Sequence, residues 1–272
     1  MYVKTRLGRW FYEERGRARH EGDPAIALWH SFLCDGGMWN GQLDALSALG
    51  RVIVFDGAGH GKSEAPPPFS LWENADAVCD AMRELGVARF VWCGLSWGGM
   101  VGMRLAIAHP ERVAALALLD TSPRKDTRQN RLKYALLSRV VRPFGIPESV
   151  FARAMATKLL GARARRERPE LVSRLYGQLS RFPIEGVYQC ARAILLERDD
   201  VTPRLGEVRC PALVIHGEDD RALPMSCARD LERGISGARL VTIPDCGHLS
   251  ALEEPDAVNA ALVPFVRAQM RA

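Results

Sequence analysis

The chain lacks any CxxC pair, and its seven cysteines, at 34, 79, 93, 190, 210, 227 and 246, are scattered and odd in number. A metal cage or a full disulfide framework is therefore not expected, and reduced thiols in a cytoplasmic protein fit better. The longest apolar run in a strand-like setting, Val113 to Leu119, falls far short of the roughly 20 residues that cross a bilayer as a helix. Met1 to Gly16 carries charges throughout, so no secretory leader is expected. Internal repeats, long low-complexity tracts and a dinucleotide-binding glycine loop are all missing. Gly61-Lys62-Ser63 looks like the end of a phosphate loop, but Asp56 stands where that loop needs glycine.

What is present is ordinary for a globular protein: 272 residues, 47% apolar and 25% charged. That suits one large domain, or one domain carrying an insertion. The net charge of +5 is unevenly spread. From Arg124 to Arg204 there are 18 Lys/Arg and 8 Asp/Glu, against 19 and 24 in the remainder. A basic middle can steer anionic substrates, or it can be the solvated faces of helices. Aromatics do not interleave with these arginines as a base-stacking groove requires, so nucleic acid is not an expected partner, and with apolar runs this short neither is a membrane.

Apolar runs alternate with helical patterns along most of the chain. Strands are expected at Trp10 to Glu14, Ala25 to Trp29, Arg51 to Phe55, Phe90 to Cys93, Val113 to Leu119, Ala212 to His216 and Arg239 to Ile243. Between them fall helices at Leu71 to Leu85, Trp97 to His109, Met225 to Arg233 and Pro255 to Met270. This alternation predicts an α/β fold with a mostly parallel sheet covered on both faces. The rhythm breaks at Thr121-Ser122-Pro123. Four helix-like stretches follow, Arg131 to Val141, Glu148 to Leu160, Pro169 to Phe182 and Glu185 to Leu196, with no convincing strand. The expected organisation is a core of 1–123 and 205–272, with a helical cap inserted at 124–204.

Ser96 is the most informative residue. It lies in Gly94-Leu95-Ser96-Trp97-Gly98, after a strand pattern and before a helical one. A nucleophilic serine needs that setting: small residues two before and two after let the backbone turn sharply, and the helix that follows aims its first N–H groups at developing negative charge. A serine hydroxyl also needs a base, and the base an orienting acid. His248 and Asp220 each follow a strand, where the loops of a parallel sheet converge. Asp219 and Asp220 both stand in the loop that follows Ala212 to His216.

These residues carry a resemblance to the α/β-hydrolase superfamily, within it to the capped esterases, enol-lactonases and cofactor-free haloperoxidases. It rests on His30-Ser31-Phe32, Phe55 to Ser63, Gly94 to Gly99, His216 to Asp220 and Gly247-His248, and covers about Trp10 to Val266. The resemblance implies an α/β-hydrolase fold, the chain order Ser, Asp, His for the triad, and no cofactor or metal. Relatives place the acid three residues after a glycine, with proline four further on; Gly217, Asp220 and Pro224 have that spacing, so Asp220 is preferred as the acid, with Asp219 as the alternative. It implies an oxyanion hole from the N–H groups of Trp97 and Phe32, with Leu33 N–H as the fallback. Ser31 stands where relatives have glycine, and would be strained only at positive φ. His30 and His60 are expected to brace loops near the site. Trp29, Phe32, Met38, Trp39, Trp97 and Met100 are expected near the pocket walls or behind them, with Met38, Trp39 and Leu249 taken as pocket residues and Trp29 and Met100 favoured as core. The implied substrate is a small carboxylic ester or lactone, anionic or with an apolar acyl group, held by a monomer or homodimer. Perhydrolysis is a conceivable side activity of the same triad. Dehalogenases and epoxide hydrolases of this fold carry aspartate in place of Ser96. Carbon–carbon hydrolases of ring-cleavage products keep the serine but usually follow the histidine with tryptophan, where this chain has Leu249. They stand as the alternative reading, and a non-catalytic ligand-binding member of the fold as another.

Overall fold

The computed structural model describes the backbone of residues 1–144, 148–179 and 181–270, and their side chains outside 137–152 and 179. Eight strands occur among them: β1 (Tyr2–Thr5), β2 (Gly8–Arg15), β3 (Ala25–Trp29), β4 (Val52–Phe55), β5 (Phe90–Leu95), β6 (Val113–Leu119), β7 (Ala212–Gly217) and β8 (Arg239–Ile243). They form one sheet in the order β1-β2-β4-β3-β5-β6-β7-β8. β1 and β2 pair antiparallel, as do β2 and β4; every other pairing is parallel.

The middle strands are apolar at every position because both faces are covered. In β3, Ile26 and Leu28 enter one apolar layer while Ala27 and Trp29 enter the other. The first layer is closed by α1 (Asn40–Ser47) through Leu46 and by the C-terminal α11 (Pro255–Gln269) through Val258 and Leu262. The second is closed by α2 (Leu71–Glu84), α3 (Trp97–Ala108) and α9 (Met225–Gly234), through Val78, Val101 and Leu231 among others. Helix α2 starts at a capping box: Ser70 Oγ accepts from Glu73 N–H, and the Glu73 carboxylate accepts from Ser70 N–H.

Between β6 and β7 runs the helical insertion: α4 (Arg128–Phe144), α5 (Glu148–Leu159), α6 (Ala162–Glu167), α7 (Pro169–Leu179) and α8 (Ile184–Ala191). Helix α8 continues into a π-helical turn, Arg192–Leu196, so the single helix expected over 185–196 has two windings. The expected domain ranges also include 145–147, 180 and 271–272, which lie outside the described residues. Four strands or α-helices lack a sequence counterpart, β1, α1, α6 and α10 (Ser250–Glu253), as do the 3-10 turns Gly36–Trp39 and Thr202–Glu207. Each is short and offers few apolar residues; in α1 only Gln42 and Leu46 are buried. Among the described residues no helix is long and apolar enough to cross a membrane.

The junction of β5 and α3 is the tightest point. Ser96 has φ 52° and ψ −103°, a conformation rare outside glycine. The chain folds back so closely that a Cβ on Gly94 would lie 2.2 Å from the Gly98 carbonyl. A Cβ on Gly98 would lie 2.5 Å from the Trp29 carbonyl oxygen. Both obstacles are backbone and cannot rotate away. Gly94→Ala is therefore expected to cost about 3 kcal/mol in urea unfolding through overpacking. Gly206→Ala, where an added Cβ meets nothing within 4 Å, should stay within about 0.5 kcal/mol.

Candidate active site

Ser96, Asp220 and His248 come together at the C-terminal ends of β5, β7 and β8. Ser96 Oγ lies 2.8 Å from His248 Nε2. His248 Nδ1 lies 2.7 Å from Asp220 Oδ2. The imidazole thus donates from Nδ1 to the carboxylate and accepts the serine hydroxyl at Nε2. The other Asp220 oxygen accepts N–H groups of Ala222 and Leu223 at 2.7 and 2.9 Å, which fixes the carboxylate's plane. Asp219 is exposed and takes no part in this chain of bonds.

Burial opposes charge on His248, but the charge and hydrogen bond of Asp220 more than offset it, so its pKa lies above the ordinary 6.5. Burial pulls Asp220 the other way, and the facing imidazole outweighs it, holding the carboxyl below its usual range. The pair is arranged to favour an imidazolium beside a carboxylate.

Two backbone donors are free beside the serine. Neither Trp97 N–H nor Phe32 N–H donates to a protein group among the described residues. Ser31 does not have a positive φ; Leu33 does, at 66°. The Leu33 N–H donates to His60 Nε2 at 3.2 Å, so the fallback donor is already committed. His60 in turn donates from Nδ1 to the Ala58 carbonyl. His30 accepts the Gly57 N–H at Nε2 and donates to the Ser31 carbonyl. Both rings brace the loops, and burial holds both neutral, His60 at about 3.

A cavity of about 390 Å³ lies over the serine, walled by Ser96, His248, Phe32 and Met100 from the core and by Tyr134, Leu159, Val187 and Leu195 from the insertion. Met38, Trp39 and Leu249, expected on its wall, are not there. All three are fully buried in the apolar layer on the α1/α11 side; Met38 and Trp39 are carried there by the 3-10 turn Gly36–Trp39, and Leu249 sits at the start of α10. Trp97 also points away from the cavity, stacking edge-on against Trp29 at 5.2 Å. Met100, favoured as core, is buried in the apolar layer with Trp29 and also contributes to the cavity wall.

Two buried carboxyls that the sequence did not single out hold the loops. Asp120, at φ 45° just after β6, accepts Gly217 N–H at the start of the Asp220 loop and Ser250 N–H after His248. Burial and the nearby Asp220 charge push it up to about 8. Glu253 accepts N–H groups of Gly247 and Leu249, either side of His248, and of Gly161 in the insertion. Asp120, His216 and Asp220 offer ligand atoms within 4.8 Å of one another. Both Asp220 oxygens are taken, however, one by His248 and one by backbone N–H groups, so this is a charge network rather than a vacant metal cradle.

The fold and this arrangement define an α/β hydrolase. Residues 24–255 match the alpha/beta hydrolase fold family, and the chain belongs to it. It is similar to a thermophilic esterase from Thermogutta terrifontis, with TM-score 0.90 and 29% identity over 99% of both chains. The enol-lactonase of Burkholderia xenovorans LB400 superposes with TM-score 0.89 and 31% identity over 98% of this chain and 99% of that one. By sequence the chain is 29% identical over 253 residues to a protein named as a carbamate hydrolase, RutD, of Klebsiella pneumoniae, covering 89% of this chain and 90% of that protein.

Removing the Glu253 carboxylate leaves three backbone donors without an acceptor. Glu253→Ala is expected to lower the unfolding free energy by about 3 kcal/mol, measured by urea titration, with Glu253→Gln losing less because one acceptor oxygen remains.

Proposed function

We propose that this protein hydrolyses a carboxylic ester or lactone through an acyl-enzyme on Ser96. The observation that carries the reading is the unbroken hydrogen-bond chain Ser96–His248–Asp220, opening onto a cavity beside two unused N–H donors. His248 takes the hydroxyl proton as Ser96 Oγ attacks the carbonyl carbon. Asp220 holds the tautomer and stabilises the imidazolium that forms. Trp97 and Phe32 N–H groups receive the oxyanion. His248 then gives its proton to the leaving oxygen, which breaks away, and a water activated by the same imidazole releases the acid and restores the serine. The related proteins are named for esters, a lactone and a carbamate, and each of those groups has an acyl carbon bearing a leaving heteroatom. In this reading 1–123 and 205–272 are the catalytic core and 124–204 the cap that shapes the substrate's room.

A serine-directed fluorophosphonate should label the protein and fail on Ser96→Ala. A panel of 4-nitrophenyl esters, aryl lactones and dienone acids then sorts the chemistry: turnover of dienone acids alone would overturn the ester reading in favour of carbon–carbon cleavage, and a lack of both labelling and turnover would leave a binding protein. Asp220→Asn should lower kcat by about 10³- to 10⁴-fold through the wrong tautomer, while Asp219→Asn stays near wild type.

The pH dependence has a definite sign. His248 acts only when neutral, and its pKa lies above 6.5. The kcat/KM for a 4-nitrophenyl ester should therefore fall as pH drops through a midpoint above 6.5. A profile flat from pH 8 to pH 5 would contradict the assignment of the base.

A further inference from the structure

The cavity over Ser96 is lined by five cationic side chains and one acidic one among the described residues. Most of the cations are spoken for. Arg124 pairs with Asp230, Arg192 with Glu197, and Lys158 donates to the Tyr134 hydroxyl at 2.9 Å. Lys125 is exposed to water. Arg198 differs from all of them.

Arg198 is only 7% exposed. Its Nη1 reaches nothing better than the Met100 sulfur, at 2.9 Å, and its Nε is sealed off with no partner. No carboxylate among the described residues lies within 4 Å of it; the neighbouring Asp199 is taken by Arg104. The one acidic wall residue, Asp126, spends an oxygen on Thr127 N–H and the Asn130 amide at the start of α4. Asp126 and Asp200 act on Arg198 only as nearby charges, without a hydrogen bond among the described residues, and a buried guanidinium with no bonded carboxylate is costly. Burial lowers its pKa, yet only to about 10, so it stays charged at neutral pH. Met100 stands four residues after Ser96, and its N–H bonds the Ser96 carbonyl. The guanidinium therefore sits about one helical turn along α3 from the nucleophile.

We propose that Arg198 is the specificity-determining residue of this site and that the substrate is an ester or lactone carrying a carboxylate, which the guanidinium receives while Ser96 attacks the acyl carbon. The planar fork matches a carboxylate in two parallel hydrogen bonds, and the apolar wall of the insertion accommodates the chain between the two groups. This rests on the hydrolase reading for its chemistry, but the anion site itself does not need turnover.

The test compares matched pairs on the full-length protein. Mono-4-nitrophenyl glutarate and 4-nitrophenyl valerate differ by carboxylate against methyl at the acyl end; 4-carboxyphenyl and 4-methylphenyl valerate differ in the same way on the leaving group. The wild type should prefer the anionic member of at least one pair. Arg198→Met should lower that anionic-to-neutral ratio of kcat/KM by roughly 10- to 100-fold, mainly through KM, as the loss of a buried charge-assisted contact. Arg198→Lys should keep part of the preference. Because only the Met100 sulfur contact is lost among the described residues, Arg198→Met should unfold in urea no earlier than wild type. An unchanged ratio in both pairs, or an equal loss on both members with an earlier unfolding midpoint, overturns the proposal. Calorimetric binding of glutarate to Ser96→Ala provides an independent arm. Binding that vanishes in the Ser96→Ala/Arg198→Met double variant upholds the anion site even if wild type hydrolyses none of the four esters, a result that would sink the hydrolase reading alone. No glutarate binding to Ser96→Ala overturns the anion site.

Discussion

Everything at the site depends on how closely β5 and α3 approach as the chain reverses at Ser96. There is no room for a single extra carbon at Gly94 or Gly98. That lack of room holds the serine at φ 52°, a conformation that costs on the order of 1–3 kcal/mol and persists only where its surroundings leave no alternative. The same turn sets three things at once. It lifts the hydroxyl toward His248, it leaves Trp97 N–H free at the head of a helix, and it fixes Met100 on the next turn as a wall of the cavity.

The other two members of the hydrogen-bond chain ride on loops, which are ordinarily the mobile part of a fold. Here they are held from below and from the side. Asp120 joins the loop after β7 to the loop after β8 by accepting one N–H from each. Glu253 encloses His248 by bonding the N–H groups of both sequence neighbours. Precision at the imidazole therefore comes from buried acceptors satisfying backbone donors, each of which would be expensive to leave unpaired, and not from packing alone.

Much of this was legible in the sequence, for a physical reason. Strands buried on both faces must be apolar throughout, and the turn at Ser96 must carry small residues, so both leave local signatures. Asp220 was preferred to Asp219 on the spacing from Gly217 and Pro224 that the family resemblance implies, and of the two it is Asp220 that bonds His248. What escaped was decided by tertiary packing. Met38 and Trp39 are apolar beside a site, and an apolar side chain there can face the cavity or the core; only the path of the turn chooses. Arg198 is one of 18 basic residues in its region, and burial without a partner is invisible in a string of letters. Asp120 and Glu253 read as a strand-end aspartate and a helical glutamate. Helices α1 and α6 were missed because they bury too little to show a periodic stripe.

The insertion is bonded to the histidine loop at two points. The Leu159 carbonyl accepts His248 N–H at 2.9 Å, and Gly161 N–H shares the Glu253 carboxylate with Gly247. The corner between α5 and α6 and the segment bearing the imidazole are thus one mechanical body. A displacement of the insertion at that corner would break these bonds or carry the histidine loop with it. The imidazole's position is thereby tied to two chain segments nearly ninety residues apart, so a change in the insertion's corner reaches the site without touching it.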